Sequence, residues 1–352
     1  MLLYHYRSRH EALIQFSNRA FYQGQLKTVP SPSATAEHPP ISRILVEDGI
    51  WEQQANQVEA KAVVALVEDL LKAPQTCGII TFSQSQKDAI EDALEERMLQ
   101  SPEFSSRLMA EMERVEGLED VSLFVKNIEN VQGDERDVII FSTGYAKNAK
   151  GKLNSRFGTL NQLGGENRLN VAISRAKEKI YLVTSFEPEA LQVEHSKHLG
   201  PILFKKYLEY ARSVSQGELA PSLGSDYNVN GSLVVDSKLN CATDHAADHA
   251  TFVKVVYHAL IARGFSVKQS VGTSDFRIDL AIVDPLTLEV KLGILCDCAP
   301  IIGEHVAKEN DLDRLGQLVL RGWPIYRVWS LSWWQNAEVV IRAIENSVTT
   351  RG

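Results

Sequence analysis

Along the first half of the chain, apolar positions alternate between two spacings. Leu13, Ile14 and Phe16 lie on one side of a helical stretch within Tyr4–Phe21. Val63, Leu66, Val67 and Leu70 recur at the three- and four-residue interval of an amphipathic helix. That helix starts with Asn56 and, three residues on, Glu59, the arrangement of a capping box. Between such stretches stand short, largely apolar runs at Cys77–Phe82, Val121–Val125, Val138–Phe141 and Ile180–Val183. Near-continuous runs of this length predict strands covered on both faces. Ser83 and Gln86 cap a further helix reaching about Gln100. The Pro- and Ser-rich stretch Thr28–Ile41 predicts loop, and charged residues fill the interval before Val121. Strands alternating with helices predict an α/β fold, a parallel sheet wound on both faces.

Leu203–Val214 predicts a helix beyond that sheet. Ser215–Asp244 mixes Gly, Ser, Asn and Asp and reads as a linker, with a short strand at Leu233–Val235. A second pattern begins near Ala247. It predicts a helix (Phe252–Ile261), three strands (Phe265–Val271, Phe276–Val283, Leu288–Cys298), a helix (Ala307–Leu320), a strand (Pro324–Trp329) and a closing helix (Trp333–Ile344). Asp284-Pro285 marks the turn between the second and third strands. The expected division is 1–190, a helix and linker over 191–246, and a smaller α/β domain over 247–352.

Composition changes this picture little. Apolar residues at 44% and charged residues at 23% suit a soluble globular protein. A net charge of −8 gives no global pull toward nucleic acid, so any such surface is a local basic stripe. Cys77, Cys241, Cys296 and Cys298 do not make a disulfide framework in 352 residues, and their apolar surroundings suit buried strand cysteines. With no signal peptide and no run of 18 apolar residues, the expectation is a cytoplasmic protein with no membrane segment.

The chemistry-bearing residues cluster in three segments. YHYRSRHE (4–11) carries Arg7 and Arg9. VQGDERDVIIFST (131–143) puts Gln132, Gly133, Asp134, Glu135 and Arg136 on a turn entering a strand. RLNVAISRAKEKIYLV (168–183) puts Arg168 and Arg175 around a short helix leading into the next strand. Polar groups at strand and helix ends are how a parallel sheet builds a nucleotide site. Yet no GxxxxGK[ST] phosphate loop is present.

Taken in order, the three segments resemble the second RecA-like domain of superfamily 1 helicases, in the branch of the nonsense-decay and DNA-end-processing enzymes. The resemblance covers about Met1 to Phe186. It implies that Arg7 and Arg175 are arginine fingers neutralising the γ-phosphate of ATP with Mg²⁺. Planar, permanently charged guanidinium groups suit that work. It further implies that Gln132 and Gly133 couple nucleotide to nucleic acid, that Glu135 contacts the ribose, and that Thr81, Ser83 and Gln84 touch the nucleic-acid backbone. Arg168 is either part of the nucleotide site or, like Arg9, a partner in a surface or interdomain salt bridge. His5 and His10 read as packing residues, and Asp137 as a strand cap. In such helicases the preceding RecA-like domain supplies the phosphate loop. The chain therefore reads as part of a larger helicase rather than a relic, with little ATPase activity alone.

The later segments VGTSDFRIDLAIVDP (271–285), KLGILCDCA (291–299) and RGWPIYRVWSLSWW (321–334) resemble the very-short-patch-repair-like branch of the PD-(D/E)XK endonuclease fold. Such enzymes hold Mg²⁺ with carboxylates on adjacent strands. By resemblance, Asp279 and Asp297 are the metal-binding and catalytic candidates. The departures are Leu295 and Cys298 in place of glutamate and glycine, Val253 in place of the helix glutamate, and Ile302 near the place of a histidine. Leucine and valine cannot ligate a hard cation. Two readings stand: an inactive module that binds DNA or packs on the helicase, or a nuclease with a rearranged site using Asp279, Asp297 and Glu304 or His305. Trp323, Trp329, Trp333 and Trp334 fit core packing better than base stacking, and Lys308, Arg314 and Arg321 offer a modest phosphate-binding face.

The leading reading is the C-terminal part of an ATP-dependent DNA helicase fused to an eroded nuclease-fold domain. Its partners are DNA, single-stranded or at a junction, and the first RecA-like domain. The alternatives are an active metal-dependent endonuclease and a non-catalytic DNA-binding or assembly module.

Overall fold

The computed structural model describes residues 4–5, 7–32, 38–153, 157–193, 196–217, 244–272, 276–297 and 314–349. They fall in two compact units, one within Ala12–Gly24 and Pro39–Ser232, the other within Met1–Glu11, Gln25–His38 and Leu233–Gly352. The chain opens with two short strands, β1 (Tyr4–His5) and β2 (Lys27–Thr28), which pair in parallel and fall in the latter unit.

The larger unit contains α1 (Glu11–Tyr22, from Ala12 onward), β3 (Ile41–Leu45), α2 (Gln57–Leu70), β4 (Cys77–Thr81), α3 (Gln84–Gln100) and α4 (Pro102–Met112). A small antiparallel ribbon, β5 (Val115–Glu116) and β6 (Glu119–Asp120), follows. Then come β7 (Phe124–Asn127), β8 (Arg136–Ser142), α5 (Gly165–Ile173), β9 (Ala176–Thr184) and α6 (Leu199–Ser215). Five strands form one sheet in the order β3-β9-β8-β4-β7, every pairing parallel. Because side chains alternate across a strand, Ile139 and Phe141 of β8 join one core while Ile140 joins the other. The first core packs under α1, α5 and α6, and the second under α2, α3 and α4. This is the expected α/β sheet covered on both faces.

Three local results differ from the sequence reading. β3 was not expected beyond the loop; at Ile41–Leu45 only Ile41 is fully buried, so the strand lacks a strong apolar signature. α4 lies in the charged interval. Ser101 accepts from the Phe104 N–H, Pro102 sits at the first turn, and only Phe104 and Leu108 are buried. The strand predicted at Val121–Val125 runs instead over Phe124–Asn127.

The smaller unit contains α7 (Asp244–Ala262), β10 (Ser266–Val271), β11 (Ile278–Val283), β12 (Val290–Asp297), a helix α8 described over 314–320, β13 (Ile325–Trp329) and α9 (Ser330–Thr349). Its sheet order is β10-β11-β12-β13, with β10, β11 and β12 antiparallel and β13 parallel to β12. One face packs on α7 and α9 through Phe252, Val256, Trp333 and Ile344. The other carries Ala281 and Leu295 under Leu318 and Trp323. Trp323 and Trp333 are thus core residues, whereas Trp329 and Trp334 are exposed. Cys77 and Cys296 are buried in strands, and burial pushes the Cys77 thiol up to about 12. Cys241, Cys298, the strand expected at Leu233–Val235 and most of the linker lie outside the described residues. Among the described residues, no helix is long and apolar enough to cross a membrane.

Candidate nucleotide and nucleic-acid site

β8 and β9 begin side by side, with Arg136 opposite Ala176. The turn before each strand therefore meets the other at the N-terminal edge of the parallel sheet. The Arg136 N–H donates to the Arg175 carbonyl at 3.3 Å. Arg175 is 8% exposed, and its guanidinium donates to the carbonyl of Val171 (2.8 Å), to Ser174 Oγ (3.0 Å) and, loosely, to the carbonyl of Asp134 (3.5 Å). The two sequence segments around Gly133 and Arg175 thus form one neighbourhood. Gly133 has φ +94°, a conformation side chains disfavour, and the space a Cβ would enter is open. Gln132 and Gly133 are exposed and Glu135 is half-buried. Asp134 pairs with Lys126 at 2.7 Å. Arg136 is buried, donates to the carbonyls of Ser122 and Glu135, and lies over the Phe124 ring, which makes it a support for the turn. Asp137 accepts from Thr76 N–H and Oγ1, the capping role expected of it.

Arg168 stands elsewhere. It stands near the start of α5, whereas Arg175 follows that helix's C-terminal end. It faces Glu129 (3.9 Å) and the Thr159 carbonyl, near the C-terminal ends of the strands. Thr81, Ser83 and Gln84 lie at that same C-terminal edge. Thr81 is fully buried and its hydroxyl donates to the Ser83 carbonyl at 3.0 Å. Ser83 is half-buried and caps α3 by accepting from the Gln86 N–H at 3.2 Å. Gln84 is exposed and donates to Asp88. The surface at this strand end is therefore supplied by Ser83 and Gln84.

Behind them lies a polar network that the sequence reading missed. Glu59 is fully buried, although the capping box placed it at a helix start. Its Oε1 accepts from the Gly144 N–H (2.7 Å), Ser142 Oγ (2.9 Å) and Thr143 Oγ1 (3.4 Å). Its Oε2 accepts from Ser185 Oγ (2.9 Å) and Asn56 Nδ2 (3.3 Å). Gln86 extends the network by donating to Ser142 Oγ and to the Asn56 carbonyl and accepting from the Asn56 N–H. Gly144 has φ +71°, and any Cβ there would strike Gln86 at 2.8 Å. Burial raises the Glu59 carboxyl to about 7, an effect partly offset by the bonds from Gly144, Ser142, Ser185 and Thr143. The carboxyl thereby ties the ends of β8 and β9 to the starts of α2 and α3. Its signal was Asn56 capping a helix with Glu59 in the first turn, whose partner strands end in serine and threonine.

Arg7 is half-buried and lies in the smaller unit, unlike Arg175. His5 accepts from the Ser8 N–H at 3.1 Å and bonds Ser8 Oγ at 2.9 Å. Burial first, then the nearby Arg7 and Arg321 cations, lower the His5 imidazole to about 4, so it is neutral near pH 7.

In the endonuclease-like unit, Asp279 is buried on β11 and its Oδ2 accepts from the Cys296 N–H at 2.9 Å. His249 donates to the Cys296 carbonyl and lies 3.7 Å from Asp279 Oδ1. Asp297, at the end of β12, accepts from Arg327 Nε at 2.6 Å. Leu295, one step beyond the Leu280–Ile294 pair, stands opposite Asp279 and is 3% exposed. The two aspartates share a sheet face, but each is engaged by a protein donor, and the residue across from Asp279 on β12 is the apolar Leu295. Among the described residues no group of three or more His, Cys, Asp or Glu could hold a metal. These residues do not fit a two-carboxylate Mg²⁺ site. Cys298, Ile302, Glu304, His305 and Lys308 lie outside the described residues.

A parallel sheet with converging turns before adjacent strands defines an α/β nucleotide-type domain, and the chain belongs to the AAA-domain family, whose model matches residues 1–187. A restriction-endonuclease-like model, REase_MTES_1575, matches residues 252–348. The chain thus combines a helicase-family AAA domain with an endonuclease-like domain, as both resemblances implied. It is 30% identical over 357 residues to an uncharacterised ATP-dependent helicase of Mycoplasma pneumoniae, the MG140 homologue, and 29% identical over 359 residues to MG140 of Mycoplasma genitalium. Each alignment covers 99% of this chain, but the chain spans about 30% of the length of these curated relatives. The solved C-terminal domain of a possible DNA helicase from Lactobacillus plantarum WCFS1 is 17% identical and aligns over 54% of this chain and 94% of its own, with a TM-score of 0.30.

Proposed function

We propose that this chain is the second motor domain of a superfamily 1 DNA helicase, joined to a nuclease-fold domain that binds DNA without cutting it. The observation carrying the reading is the meeting of Arg175 with the Gly133 turn at one edge of the parallel sheet, beside open space. Arg175 and Arg7 neutralise charge on the γ-phosphate, Glu135 faces the ribose, and Gln132 and Gly133 relay the nucleotide state. ATP and its Mg²⁺ supply the phosphoryl group and the charge that these residues act on. The phosphate loop comes from a preceding motor domain. Ser83 and Gln84 meet the nucleic-acid backbone at the opposite edge, and closure and opening of the two motor domains move the strand. The same reading takes the protein to act in the cytoplasm.

The test is ATP hydrolysis by the purified chain with and without a phosphate-loop-bearing first motor domain of such a helicase. DNA-stimulated turnover is expected only with both present. Robust Mg²⁺-dependent turnover by the chain alone refutes the reading.

A further inference from the structure

Residues 1–11 belong to the stretch that matches the AAA domain, yet they and residues 25–38 are built into the endonuclease-like unit. Four contacts within that unit hold them. β1 pairs with β2, setting His5 opposite Thr28. Val29, directly after β2, is 8% exposed in an apolar cluster with Phe276, Leu295 and Trp323. The Trp323 indole N–H donates to the Pro30 carbonyl at 2.8 Å. Arg321 donates to the Ser8 carbonyl at 3.0 Å.

Arg7 sits between two of these anchors. On one side His5 is paired opposite Thr28, and on the other Ser8 is held by Arg321, while His5 also closes on Ser8. A guanidinium on a side chain with many rotamers needs a fixed backbone to meet a phosphate in one geometry. The Arg321 and Trp323 bonds supply that fixation from the loop before β13. The same cluster contains Leu295, the apolar side chain standing where a second carboxylate would be needed opposite Asp279. The side chain that deprives this face of a cation site therefore also builds the surface on which Val29 docks.

We propose that the endonuclease-like domain acts as a positioning module for ATP hydrolysis, with Arg321 and Trp323 as positioning residues that hold the Arg7 segment. This rests on the helicase reading above. In that arrangement, any ligand that shifts the loop carrying Arg321 and Trp323 shifts Arg7, which couples DNA bound to this domain with nucleotide turnover.

The experiment compares Arg7→Ala, Arg321→Met, Arg321→Lys and Trp323→Phe in the complete helicase, with thermal melts as folding controls. Arg321→Met and Trp323→Phe are expected to lower kcat for ATP by about 10-fold, within the range a small misplacement produces, with KM within about twofold. Arg321→Lys, which keeps a donor, recovers part of the loss. On this chain alone, NMR titration of His5 in Arg321→Met is expected to move upward from about 4, because one repelling cation is gone. If Arg7→Ala abolishes turnover while Arg321→Met and Trp323→Phe hydrolyse ATP normally, the positioning role is wrong and the helicase reading stands. If Arg7→Ala leaves turnover intact, the assignment of Arg7 fails and this inference with it. An unmoved His5 titration overturns the Arg321 anchor directly.

Discussion

Glu59 is the residue at which burial and charge are in sharpest conflict. Its carboxyl is raised from its ordinary range to about 7 by burial, so the folded protein binds a proton more tightly there than the unfolded chain does. Between about pH 4.5 and 7 the folded state holds the extra proton, and stability from this group declines as pH rises through that window. The full cost, roughly 3 kcal/mol at 1.36 kcal/mol per unit, is present above pH 7. In Glu59→Gln the difference in melting temperature from the native protein should widen in the variant's favour from pH 5 to pH 8. A difference that does not change with pH contradicts the buried acid. Glu59→Ala, which strands the Gly144 N–H and Ser142, should cost about 2–5 kcal/mol in denaturant unfolding at pH 5 and less at pH 8, where the native protein itself carries the cost of the buried charge. At this scale the sequence exposed Arg175 and Gly133 because their motifs surround strand starts. It hid Glu59, because a capping box looks the same whether the glutamate faces solvent or two strand ends.

Among elements, α3 shows how local chemistry fixes the edge where nucleic acid is proposed to lie. Ser83 closes the first turn of α3 and also provides the carbonyl that Thr81 binds. Ser83→Ala should cost about 1 kcal/mol in thermal unfolding by loss of the cap, while Ser83→Asp should retain the cap. On the proposed function, Ser83→Asp instead weakens single-stranded DNA binding by placing a negative charge at the backbone contact. Equal DNA affinity in the two variants would count against that contact. Elements with largely apolar runs or strong helical periodicity were legible: β4, β8, β9 and α2 fall where predicted. β3 was not, since a strand with one fully buried residue leaves almost no apolar signal. α4 was not, because its two buried residues sit in a charged stretch, although Ser101-Pro102 was a readable start.

For the whole molecule, the order of elements announced two α/β regions, and the fold contains both. What the linear order could not announce is the compact unit joining residues 1–11 and 25–38 to the end of the chain. Those segments carry two-residue strands, whose pairing depends on contacts distant in sequence. Asp279 and Asp297 were legible as a pair on adjacent strands, but their engagement by the Cys296 N–H and Arg327 was not. With that engagement, plasmid nicking in Mg²⁺ or Mn²⁺ should be absent and unaffected by Asp279→Ala; nicking abolished by that substitution would restore an active nuclease. On the proposed function, Arg175 serves the transition state of ATP cleavage. Single-turnover cleavage of ATP bound to the assembled helicase isolates that step. Arg175→Ala should slow cleavage by at least about 10³-fold while ATP affinity changes only a few-fold. Cleavage at the native rate in Arg175→Ala would contradict it.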